Sequence, residues 1–300
     1  MTIQPPTETT DTSAEPVVEV HDLAKDFGTS APVFDGINLE LTAGETTILM
    51  GPNGSGKTIL LSCLAGGLDP TAGRISVFGE EPATVQSQIV FLLQDGLGID
   101  DLSGRENAQF YTRLHPAATE KWRAIADRLE LDALDRRVGD YSGGMRRKLE
   151  VALTLSVDVP LYLLDEPTAE LDPTAVEQFH AMLEELAAVD RTVVMTSHLP
   201  RDLRAADRLV FFASSGIVAA GRPDTLRDAV PPVVVADDLA ADITDFVVDG
   251  RLFDTDVGRR GFLAPTADEA TVADRDDVHA IEPPMSPDVF NYYVHLTGDE

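Results

Sequence analysis

Thirteen residues constrain this chain more than any others: Thr46–Thr47–Ile48–Leu49–Met50, then Gly51–Pro52–Asn53–Gly54–Ser55–Gly56–Lys57–Thr58. The first five are β-branched or apolar and predict a short buried strand. The next eight satisfy G-x-x-x-x-G-K-[ST] at every fixed position, and Ile59 to Leu64 predicts the first turns of a helix. A phosphate chain needs many donors close together, and side chains at each position would block its approach. Glycines at 51, 54 and 56 let backbone N–H groups converge. The helix N-terminus adds partial positive charge at the same point. Lys57 supplies a point charge, and the Thr58 hydroxyl suits Mg²⁺. The competing reading is a glycine-rich turn in an ordinary α/β protein, which has no need of the full motif between a strand and a helix.

With 43% hydrophobic residues among 300, the chain can bury a substantial core, in one large domain or one plus a small one. No apolar run reaches the ~20 residues of a membrane span. Residues 1–16 are polar and proline-bearing, which predicts a disordered tail rather than a signal peptide or an anchor. Cys63 is the only cysteine, so no intramolecular disulfide is possible. The net charge of −29 disfavours nucleic-acid binding, which needs clustered basic residues. The acids are spread along the chain: residues 231–300 carry 16 acids against 4 bases, leaving −17 for the rest. Such a charge self-repels in dilute buffer, whereas at molar salt the Debye length falls to ~3 Å. The spread predicts a halophile's protein. An acidic interaction surface would concentrate the charge in one block.

Taken in order, Val17 to Val20 and Val33 to Leu41 predict antiparallel edge strands. Phe27 lies in the turn between them and has two readings, stacking on a nucleotide base or capping the core. Arg74 to Phe78 and Ile89 to Leu93 predict further strands, the second ending at Gln94. Phe110, Leu114, Trp122, Ile125, Leu129 and Leu134 recur at helical period and predict a helical insertion over about 95–157. Ser142–Gly143–Gly144 opens a basic helix, which reads either as a second anion site or as an ordinary N-cap. Leu161 to Leu164 predicts a buried strand ending in Asp165–Glu166. Carboxylates there face the ligand crevice, Asp165 suited to Mg²⁺ through water and Glu166 to an attacking water. Val193 to Ser197 predicts the next strand, ending at His198, and Leu209 to Ala220 a hairpin. Beyond Pro231–Pro232 come strand-like runs at Pro232 to Val235, Phe246 to Leu252 and Gly261 to Leu263. A helix is expected from Pro287 to Leu296. Together these predict a small acidic α+β appendage over 231–300.

A P-loop, Gln94, an SGG turn, LLDE and His198 in this order resemble the ATP-binding-cassette (ABC) transporter ATPases over about 17–230. GPNGSGKT is similar to the family's Walker A, LYLLDE to Walker B with its catalytic glutamate, YSGGM to the signature, AELD to the D-loop, and His198 to the switch histidine. The resemblance implies an α/β P-loop NTPase core with an antiparallel β subdomain and the helical insertion. It assigns Phe27 to adenine stacking and Gln94 to the link between Mg²⁺ and a membrane partner. The tail Pro287–Asp288–Val289–Phe290 with Leu296–Thr297–Gly298, and the run from Tyr141 to Lys148, resemble the daunorubicin-resistance type of exporter ATPase.

The resemblance implies ATP and Mg²⁺, each nucleotide lying between the P-loop of one copy and the signature of another. ATP would contact Phe27, Gly51, Pro52, Asn53, Gly54, Ser55, Gly56, Lys57 and Thr58, and across the dimer Ser142, Gly143, Gly144 and Asp172. Thr58 and Gln94 would bind the metal with Asp165 in support. Glu166 would activate water, with His198, Lys57 and Gln94 completing the catalytic set. The implied partners are a second copy and a polytopic permease, at the cytoplasmic face of the cell membrane. An importer ATPase and a soluble cassette regulator are the other readings. Tyr141 and Met145 depart from the usual signature, and Glu170 from the small residue usual in the D-loop. Glu170 either alters communication between the two sites or is one more acid in an acidic chain.

Overall fold

The computed structural model describes residues 16–28, 31–94, 96–213, 216–237, 241–255 and 258–296. The expected tail over residues 1–16 lies outside the described residues except Pro16, which opens the first strand; Asp95, the Ser214–Ser215 turn and Thr297–Gly298 also lie outside them.

β1 (Pro16–Lys25) pairs antiparallel with β2 (Phe34–Thr42). β3 (Thr46–Met50) runs into the glycine loop and then α1 (Lys57–Leu64). The chain returns as β4 (Ala72–Val77) to pair with the other side of β1, giving the order β2-β1-β4. Of the two strands expected at the edge, β1 is therefore central. Its second partner arrives some 50 residues later in the chain, and nothing local announces it.

β5 (Ile89–Leu92) is followed by the helical insertion: α2 (Gly104–Leu114), α3 (Trp122–Arg128) and α4 (Gly143–Leu155). A capping box starts α2, with Ser103 accepting from the Glu106 N–H and Glu106 accepting from the Ser103 N–H. Trp122, Ala126, Leu149 and Leu153 form the insertion's own core. Phe110 and Leu114, part of the helical period read from the sequence, are 42% and 63% exposed. They lie four residues apart on one face of α2.

β6 (Leu161–Leu164), α5 (Pro173–Ala187), β7 (Thr192–Ser197), β8 (Arg208–Ala213) and β9 (Gly216–Gly221) complete the central sheet. Its order is β5-β6-β7-β3-β8-β9, parallel except for β9 at the edge. Successive residues of a strand point to opposite faces. Ile48 and Met50 thus join Tyr162, Leu164, Met195 and Phe179 on one side, while Leu49 joins Leu163, Val194, Leu60 and Leu64 on the other. Both faces are covered, which is why these strands read as continuous apolar runs.

After α6 (Pro223–Asp228), the strands β10 (Val233–Ala236), β11 (Phe253–Thr255) and β12 (Gly258–Phe262) precede α7 (Glu269–Ala273). β13 (Val278–Glu282) and α8 (Ser286–Asn291) follow. The four strands form an antiparallel sheet, β11-β12-β10-β13. Phe246 to Leu252, expected as a strand, makes 3₁₀ turns instead, with Asp249 left-handed at φ 52°. The last turn does not stay with this sheet. Tyr293 stacks on Phe211 of β8 with ring centroids 4.9 Å apart, and its hydroxyl donates to the Leu226 carbonyl.

Arg260 on β12 forks onto both Asp288 oxygens at 2.9 and 2.8 Å and reaches Glu282 at 2.7 Å. Asp288 also accepts from the Met285 N–H, so one carboxylate caps α8 and receives a buried guanidinium. Its side chain is 3% exposed and that of Arg260 is 6%. Removing one partner strands the other charge. Arg260→Gln is expected to lower unfolding free energy by ~3–5 kcal/mol in denaturant titration at fixed salt. A loss below ~1 kcal/mol would mean that solvent screens the pair.

Candidate nucleotide site

β3, β7 and β6 are neighbours and parallel, so their C-terminal ends open on one edge of the sheet. The glycine loop leaves β3 there, Asp165–Glu166 leaves β6, and His198 leaves β7. Ligands of open parallel sheets bind at such an edge.

In the loop, Gly56 is left-handed at φ 93°, and a Cβ there would stand 2.9 Å from Val33 Cγ1 and 3.0 Å from Phe34 Cδ1. Only glycine allows this turn into α1. The Lys57 ammonium is buried and folds back over the loop, donating to the carbonyls of Gly51 at 2.9 Å and Pro52 at 2.8 Å. Burial lowers its pKa, and the charges of Glu166 and Asp165 oppose that.

Asp165 is fully buried. Its Oδ1 accepts from Thr196 Oγ1 at 2.5 Å, and the Thr196 hydroxyl accepts in turn from the Glu166 N–H at 2.9 Å. Asp165 Oδ2 is buried with no hydrogen-bond partner. Glu166 is left-handed at φ 46°, a conformation that costs a side-chain-bearing residue and persists where the surroundings impose it. Its Oε1 lies 3.1 Å from His198 Nδ1.

A cavity of about 390 Å³ is lined by Phe27, Asn53, Gly54, Gly56, Lys57, Thr58, Gln94 and Glu166, with Val33 and Ile59. Eight of the residues singled out from the sequence meet there. Phe27 is 55% exposed, which removes the core-cap reading. Its ring sits under the Lys25 ammonium, 4.8 Å from the centroid.

Ser142, Gly143, Gly144 and Asp172 do not line this cavity. Ser142 N-caps α4, accepting from the Met145 N–H. Asp172 N-caps α5 and pairs with Lys148 at 2.7 Å, contacts that hold its carboxyl below its ordinary range. Glu170 is also left-handed, at φ 64°. Its carboxylate lies against Gly143, and a Cβ on Gly144 would stand 2.8 Å from the Glu170 backbone carbonyl oxygen, so Gly144 is needed inside one chain.

Two contributors escaped sequence reading. Thr196 binds both Walker B acids, and only its place in β7 beside β6 brings it there. Arg147 of the signature helix donates to the Leu93 and Gln94 carbonyls while paired with buried Glu150 at 3.2 Å. It ties the Gln94 loop to α4.

The profile of the family described as ABC transporter matches residues 34–169. The daunorubicin resistance ATP-binding protein DrrA3 of Streptomyces coeruleorubidus is 32% identical over 96% of this chain and 98% of its own. The Nod factor export ATP-binding protein I of Rhizobium meliloti is 34% identical over 70% of this chain and 66% of its own. Among solved structures, an ATP-binding subunit of an ABC transporter superposes with a TM-score of 0.63 at 23% identity, covering 71% of this chain and 92% of that one. A dimeric ATP-binding cassette in a post-hydrolysis state with ADP and Pi superposes with a TM-score of 0.62 at 21% identity, over 69% of this chain and 98% of that one. The phosphate loop, the strand-end acids and these relatives agree: the chain belongs to the ABC transporter family, as an ATP-binding subunit that hydrolyses ATP.

Proposed function

We propose that this chain powers a separate polytopic permease in export, two copies closing around ATP at the cytoplasmic face of the membrane. The observation that carries the reading is the split site. One cavity collects the P-loop, Phe27, Gln94 and Glu166, while the signature residues lie outside it. A single chain thus supplies two halves of different sites, which two copies in head-to-tail order complete. The dimeric relative supports this arrangement. The printed names of the two relatives, daunorubicin resistance and Nod factor export, favour export over import.

In this reading adenine stacks on exposed Phe27. The backbone of Gly51 to Gly56 cradles the phosphates, and Lys57 leaves its loop carbonyls for the outer ones. Ser142, Gly143, Gly144 and Asp172 come from the second copy. Glu166 orients the attacking water and takes its proton, with His198 holding the carboxylate. The unpartnered oxygen of Asp165 fits a hard cation, and Thr58 and Gln94 complete an oxygen set for Mg²⁺. When bound, the metal neutralises charge developing on the phosphates. Leu93 beside Gln94 stays exposed, as do Phe110 and Leu114 on α2, and Tyr111 of α2 donates to the Leu97 carbonyl, which suits a docking permease helix. The distributed charge of −29 suits work at molar salt.

Three outcomes are expected. Glu166→Gln should bind ATP as the parent does but turn over ~10²–10⁴-fold more slowly, measured by phosphate release; unchanged turnover removes Glu166 as base. Phe27→Ala should leave stability within ~0.5 kcal/mol and weaken nucleotide binding by ~1–3 kcal/mol in calorimetry. A tagged copy solubilised from host membranes at high salt should bring down a polytopic protein without a solute-binding protein. Recovery with a solute-binding protein would replace export by import, and recovery alone would point to a soluble regulator.

A further inference from the structure

A second polar cluster lies behind the Glu166–His198 pair, unused by the chemistry above. Asp202, in the 3₁₀ turn Pro200–Ala205, is fully buried. Its Oδ2 accepts from Thr168 Oγ1 at 2.7 Å and from Ser197 Oγ at 2.6 Å. Its Oδ1 meets His180 Nε2 of α5 at 2.9 Å. Ser197 Oγ also accepts from the Leu199 N–H, and Arg201 donates to the Thr168 carbonyl. Thr168 follows Glu166 by two residues, and Ser197 immediately precedes His198. One carboxylate oxygen therefore holds the two flanks of the pair.

We propose that Asp202 is a positioning residue for ATP hydrolysis: it locks the turn carrying Glu166 to the strand end carrying His198, with His180 as the donor that keeps it in place. The inference rests on the roles given to Glu166 and His198 above. Thr196 ties β7 to Asp165 and to the Glu166 N–H, at the start of the turn that left-handed Glu166 opens. The Thr168–Asp202–Ser197 link is a second tie, at the far end of that turn. Burial pushes the Asp202 carboxyl up, yet the bonds from His180, Ser197 and Thr168 hold it below its ordinary range, so it is an ionised acceptor. His180 Nε2 is the nitrogen that faces this acceptor, and Nδ1 is buried without a hydrogen-bond partner. A site of this kind loses rate when its geometry slackens by about 1 Å, without losing substrate affinity.

The test is steady-state hydrolysis by the full chain, well below its unfolding temperature. His180→Leu is expected to lower kcat ~10–100-fold with KM for ATP unchanged. His180→Gln, whose amide can donate to Asp202, should recover most of that loss. In a Glu166→Gln background, His180→Leu should cost nothing further, because the group it positions is gone. Should His180→Leu fail to fold, Thr168→Val removes one flank only and reads the same split. Unchanged kcat, a matching rise in KM, or a full additional loss in the Glu166→Gln background would overturn the inference. Wild-type turnover in Glu166→Gln alone would instead overturn the assignment of the base.

Discussion

Parallel pairing of β6, β7 and β3 decides where each strand stops, and the site depends on those stopping points. Thr46 to Met50 runs beside Val193 to Ser197, and Leu161 to Leu164 beside Thr192 to Met195. Parallel strands end on the same edge, so the phosphate loop, the two acids and the histidine emerge together although some 150 residues separate the first from the last. Both faces of the sheet are packed, which pins the register: a slip of one residue would turn Ile48 and Met50 onto the face of Leu49.

The edge itself holds groups that a stable core would avoid. Asp165 buries an oxygen without a partner, Lys57 buries an ammonium, and Glu166 and Glu170 sit in left-handed backbone. Each is costly alone. They persist because hydroxyls and carbonyls on rigid neighbours hold them: Thr196 on β7, the loop carbonyls on Lys57, the packed start of α4 under Glu170. Asp165, Lys57 and Glu166 bring such conflicts to the strand ends of the candidate site, whereas left-handed Asp22, Phe78, Glu130, Asp190 and Asp249 lie elsewhere.

The C-terminal segment is attached through packing. Its four-stranded sheet has a core of its own in Val234, Ile243, Val247 and Val272. The turn after α8 leaves that core and puts Tyr293 on Phe211 of the central sheet. The closing motif at Asp288–Val289 has a physical content: the aspartate caps α8 and receives Arg260, and the valine is buried beside the main core.

Much of this was legible in sequence because it is local chemistry. A glycine loop between a strand and a helix, acids ending an apolar run, and an SGG turn before a basic helix each name their own geometry within a few residues. The antiparallel, helical and parallel parts were legible for the same reason, since apolar period follows secondary structure. What tertiary structure alone decided were meetings between distant residues and the side of an element that faces solvent. β1 became central because β4 returns to it. Phe110 and Leu114 kept a helical period yet stayed outside. Phe27 was an aromatic with two readings until its exposure removed the core-cap one. Thr196, Arg147 and Asp202 are ordinary residues in the chain, and they matter because the fold carries them to Asp165, Gln94 and Thr168. Local pattern encodes what a residue can do, whereas long-range pairing sets what it is placed beside.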